Sequence, residues 1–70
     1  MIEFSKHAIK QSLKRKIPKK KITETVKHPD KIIPSFRDRL LRQKKFGNRI
    51  LEVVTITEET KIIIITQYYL

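Results

Sequence analysis

Cysteine and tryptophan are absent from this 70-residue chain, and glycine occurs once. Without cysteine there is neither a disulfide framework nor a cysteine-rich zinc site, and nothing points to an oxidising compartment. A single glycine, Gly47, excludes a glycine-rich phosphate loop. The seven acidic residues are scattered, so the paired carboxylates of a two-metal nuclease are missing as well. No metal and no cofactor is therefore expected. Long apolar runs are also lacking. The longest, Ile62 to Ile65, holds four residues, whereas a membrane span needs about 20. The opening residues Met1 to Lys6 show no basic start followed by an apolar stretch, so the expectation is a cytoplasmic protein with no membrane partner.

What is present is positive charge and isoleucine. Seventeen Lys and Arg oppose seven Asp and Glu, for a net charge of +10. The excess lies in residues 1–49, while residues 50–70 carry Lys61 against Glu52, Glu58 and Glu59. Such a field attracts phosphate backbones and anionic surfaces; a lysine-rich surface also keeps an aliphatic protein in solution. Twelve isoleucines are the largest share of the apolar residues. A chain this short buries only about 60% of its unfolded surface, so a homodimer is one route to further buried area.

Periodicity divides the chain in two. Ser5 suits a helix N-cap, with Phe4 placed to pack on Ile9. Ala8, Ile9, Ser12, Leu13 and Ile17 recur at helical spacing, and Lys6, Lys10 and Lys14 form a basic row on another face. Pro18 opens a second helix anchored by Ile22 and Val26, and Pro29 ends it at His28. Lys19, Lys20 and Lys21 in its first turn have the wrong sign for the helix dipole; a bound phosphate there would reverse the effect. Strand-like chemistry follows. Pro34 marks an edge or a bulge, Gly47-Asn48 reads as a two-residue hairpin turn, and Glu58-Glu59-Thr60 as a second tight connection. The isoleucine run of the last strand points to a central position covered on both faces. The expected fold is one α+β domain. Helices over about 5–16 and 18–28 pack on a four-stranded, mainly antiparallel sheet with strands over about 31–35, 39–46, 49–57 and 61–68.

Ser5-Lys6-His7-Ala8, Arg15-Lys16-Ile17 and Val26-Lys27-His28-Pro29-Asp30, with the later Leu51-Glu52-Val53-Val54 and Ile63 to Tyr68, resemble domain-of-unknown-function family 4258. That family is thought to share the fold of RelE-like toxins and related small ribonucleases. The resemblance implies an RNA-cleaving toxin or a relative of one, held by an acidic antitoxin. Where the family commonly has an arginine one turn after the histidine, this chain has Gln11. Where its second helix usually starts with a cap and acidic residues, this chain has Pro18 and three lysines.

A metal-independent ribonuclease can use the RNA's own 2′-OH as nucleophile, so it needs only groups that move protons and stabilise negative charge. His7, beside the basic helix row, is the first candidate, and Arg42, Thr66 and Tyr68 complete the catalytic set. Thr66 and Tyr68 share a strand face, with Tyr69 opposite. His28, at a helix end, is read as a dipole partner. Lys10, Lys14, Arg15, Lys19, Lys20, Lys21, Arg37, Arg39, Lys44, Lys45 and Arg49 are the candidate nucleic-acid contacts, with arginines able to grip phosphate bidentately. Phe36 and Phe46 are read as core plugs that could otherwise stack bases. Three functions stay open: a RelE-like toxin that binds RNA and cleaves it without metal, a non-catalytic nucleic-acid-binding module, and a basic subunit for an acidic protein partner.

Overall fold

The computed structural model describes residues 1–70, which form β1 (Ile2–Phe4), α1 (Lys6–Lys14), α2 (Lys19–Lys27), β2 (Lys31–Pro34), β3 (Arg39–Phe46), β4 (Arg49–Glu58) and β5 (Lys61–Tyr69). Both helices lie on one face of a single sheet ordered β1-β5-β4-β3-β2. The last four strands pair antiparallel in the sequence β2, β3, β4, β5, as their short connections require.

The sheet has five strands rather than four. Ile2, Glu3 and Phe4, expected only to lead into the first helix, pair parallel with Ile62, Ile63 and Ile64. Three residues are too few to show a period, and the strand exists because β5 offers its free ladder edge. Phe4 accordingly packs against the core as a strand residue. Ser5 joins sheet to helix. Its Oγ accepts from the Ala8 N–H at 3.0 Å, capping α1, while its hydroxyl donates to the Ile65 carbonyl at 3.1 Å.

α1 buries Ala8 and Ser12, and the Ser12 hydroxyl is satisfied by the Ile9 carbonyl at 2.8 Å. Leu13, expected on the same buried stripe, is 74% exposed. The helix ends one residue later, and only the side bearing Ala8 and Ser12 reaches β5. Past the helix, Ile17 returns to the core. α2 starts after Pro18, whose carbonyl accepts from the Lys21 N–H at 3.0 Å, and buries Ile22, Thr25 and Val26. The core gathers these residues with Leu51, Val53 and Ile64, edged by Ile2, Phe4, Phe46, Ile62 and Tyr69.

β5 lies inside the sheet, as its isoleucines suggest, but β4 holds the middle position and no element covers β5 on its second face. Alternation sends Ile62 and Ile64 to the helices and Ile63 to the uncovered side. A bulge leaves Ile65 outside the register between the pairs Val54–Thr66 and Thr55–Ile64. Gly47, with φ +62°, makes the tight turn between β3 and β4. The turn between β2 and β3 instead places Arg37 and Asp38 at φ +59° and +58°, a conformation unfavourable for most side chains.

Candidate nucleic-acid interface

The helical layer holds most of the charge. Residues 5–28 carry nine Lys and Arg against Glu24 alone, a net of +8 out of the chain's +10. His7, Lys10, Lys14, Lys19, Lys20 and Lys21 are all exposed. The α1 side of this layer follows from sequence: the buried Ala8–Ser12 side turns its lysines outward. Two α2 lysines also stand over aromatic rings. The Lys19 ammonium lies 5.5 Å from the Phe4 centroid and that of Lys21 5.4 Å from Phe46, pairings that leave each cation exposed while covering the ring edge of the core.

Arg42 and Lys44, expected among the functional residues, serve the fold. Both point from β3 toward the helices and meet the end of α2. Arg42 Nη1 donates to the Val26 carbonyl at 3.1 Å and its Nε to Thr55 Oγ1 at 3.1 Å. Lys44 Nζ donates to the His28 carbonyl at 3.1 Å and lies 3.8 Å from Asp30. Helix C-terminal carbonyls lack partners within the helix and carry negative dipole charge, so cations from an adjacent strand stabilise them. His28 is the C-cap itself, its N–H donating to the Glu24 carbonyl at 2.8 Å.

On the opposite, uncovered face, Tyr68 and Thr66 sit side by side as expected, and Tyr69 turns to the core. Tyr68 donates its hydroxyl to Glu52 Oε2, while Gln43 Nε2 donates to Glu52 Oε1 at 2.7 Å. Glu52 is only 6% exposed. The hydrogen bond to Glu52 pushes the Tyr68 phenol up to about 12, with burial and the Glu52 charge acting the same way and Arg15 opposing them. Arg15 follows α1 and donates from Nη1 to the Gln67 carbonyl at 3.3 Å. Gln67 in turn donates its Nε2 to the Ala8 carbonyl at 2.9 Å, pinning α1 to β5.

The four expected catalytic residues thus fall in three places: His7 on the exposed first turn of α1, Arg42 beneath α2, and Thr66 with Tyr68 on the uncovered sheet face. Among the remaining basic residues, Arg37 and Lys45 are exposed, and Arg39 is half-buried on the uncovered face. Arg49 stacks over Tyr69 at 3.8 Å from the ring centroid. The aromatic pair divides, with Phe46 packing on the core and Phe36 70% exposed in the strained turn. Glu52 and Gln43 were not among the expected site residues. The signal for Glu52 lies in the sequence, as the only acid within the apolar run Ile50 to Val54: a carboxylate there must find donors on its own face of the sheet.

Comparison with known families matches residues 4–69 to Domain of unknown function (DUF4258). The chain belongs to the DUF4258 family. The match takes in β1's last residue, both helices and the whole antiparallel meander, so the +8 helical layer and the Tyr68–Glu52–Gln43 row both lie within the DUF4258 domain. No curated protein and no solved structure matches the chain. No helix is long and apolar enough to cross a membrane.

Proposed function

We propose that this DUF4258 protein binds RNA through the outer face of its two helices, as a relative of the RelE-like toxins that acts by holding the phosphate backbone. One observation carries the reading: nine cations against one acid in the helical layer, with the lysines of both helices exposed. Lysines fixed at helical spacing neutralise successive phosphates and release counterions.

Binding is favoured over cleavage for two reasons. His7 and Tyr68 lie on different layers of the molecule, whereas acid and base must both reach the reacting phosphate. Tyr68 also keeps its proton to about pH 12, which suits a donor and not a base near neutrality.

The test is anisotropy of labelled single-stranded RNA across a salt series. With about five lysines engaged, log affinity falls against log salt with a slope of roughly −3.5. Lys10→Glu with Lys14→Glu flattens that slope and weakens binding, while Lys31→Glu on the sheet edge has little effect. Affinity indifferent to salt refutes the reading. Cleavage of the RNA in EDTA that disappears in His7→Ala would replace it with the metal-independent ribonuclease.

A further inference from the structure

The uncovered sheet face mixes apolar residues with nearly balanced charge, Lys31, Arg39, Lys45 and Lys61 against Glu3, Glu52 and Glu58. Ile33, Leu41, Val54 and Thr66 lie side by side across four strands. A second row runs Glu3, Ile63, Ile56, Arg39 across β1, β5, β4 and β3. Its two ends have opposite charge, and Arg39 Nε is buried with no hydrogen-bond partner. Lys61, in register with Glu58, again sets opposite charges on β5 and β4, and in the single chain its ammonium pairs with Glu3 at 3.1 Å. Glu3 and Arg39, and likewise Lys61 and Glu58, are thus placed about equally on either side of the line between β4 and β5.

A surface with this arrangement is complementary to itself. A two-fold axis lying along that line, between two stacked sheets, reverses each row. Arg39 then meets the partner's Glu3, Ile56 meets the partner's Ile63, and Lys61 meets the partner's Glu58. We infer that this face binds a second copy of the chain, forming an isologous dimer with the two sheets stacked and the cationic helices turned outward. The +8 layers end up on opposite outer sides, so the charge that would keep copies apart is held away from the contact. Edge-to-edge pairing through β2 is disfavoured, because that strand has four residues, begins with Lys31 and ends with Pro34.

Overlap of β4 and β5 along about 30 Å, with the three-residue β1 adding about 10 Å over β3 on each side, covers roughly 400 Å² per copy. That is the size of a weak, transient interface, so the test extends to high protein concentration.

The test is sedimentation equilibrium of the full chain from about 1 to 300 μM, in low and in about 1 M salt. The 8.4 kDa monomer gives way to a species of twice the mass, and the association survives high salt because its core is apolar. Arg39→Glu weakens it about tenfold or more by setting two carboxylates together, and adding Glu3→Arg restores it. Glu3 is exposed, and circular dichroism checks that each variant is folded. A monomer throughout the range overturns the inference, as does a dimer that ignores Arg39→Glu or that the second substitution fails to rescue. Self-association abolished by salt also overturns it, and leaves the face to an acidic partner. None of these outcomes depends on RNA binding, which the outward helices would retain.

Discussion

Replacing Arg42 by methionine separates a structural cation from a functional one. The methionine keeps an apolar stem and removes the guanidinium, so the change isolates two hydrogen bonds, to the Val26 carbonyl and to Thr55 Oγ1. Hydrogen bonds from charged donors contribute about 1.5–3 kcal/mol each when well sheltered. The Thr55 hydroxyl keeps its own bond to the Leu40 carbonyl at 3.1 Å, and the half-buried Arg42 site admits some water. A net loss of about 2–3 kcal/mol follows. A domain of this size has a total stability of only about 4–10 kcal/mol, so the melting temperature should fall by about 10–20 °C. Urea titration followed by far-UV circular dichroism reads the change directly. Lys44→Met is the internal comparison: its bond to the His28 carbonyl is exposed, and it should cost no more than about 1 kcal/mol. RNA affinity of folded Arg42→Met should match that of the wild type. If stability is unchanged and RNA affinity collapses, Arg42 belongs to the interface and its role as a helix anchor is refuted.

The Tyr68 phenol, pushed up to about 12 from 10.0, gives an alkaline signature. The unfolded chain releases this proton first, so the added stability is fully present below pH 10 and disappears as pH rises through 12. About 1 kcal/mol is expected after allowing for solvent screening at this partly exposed group. Denaturant midpoints should fall less steeply over that range in Tyr68→Phe than in the wild type, and identical slopes would count against the bond to Glu52. In the turn between β2 and β3, Arg37→Asn with Asp38→Gly should raise stability by about 1–2 kcal/mol, because both positions hold φ near +60°. Thermal melts of the double variant measure this, and a loss of stability would mean that the native side chains make compensating contacts. If dimerisation uses the uncovered sheet face, the wild-type melting temperature rises with protein concentration, whereas that of Arg39→Glu does not.

Much of this protein was legible in its residue order. Ser5 marked the first helix cap, Pro18 and Pro29 bounded the second helix, Gly47-Asn48 set the hairpin, and alternation put Tyr68 and Tyr69 on opposite faces. These are local effects of backbone geometry and short-range hydrogen bonding, and they need no knowledge of distant partners. The charge of the helical layer was equally plain, since an amphipathic helix with a small buried side must turn its lysines outward. What depended on distant contacts was hidden. β1 exists only because β5 offers it an edge, and Leu13 is exposed only because the sheet lies on the far side of Ser12. Arg42 read as a catalytic residue and Lys44 as a nucleic-acid contact in the sequence because a cation in a strand carries no sign of what lies across from it. The fold brought the end of α2 above them, and carbonyls that had to be satisfied claimed both side chains. Glu52 shows the same division: its sequence demanded a partner, and only sheet register placed Gln43 on one side and Tyr68 on the other.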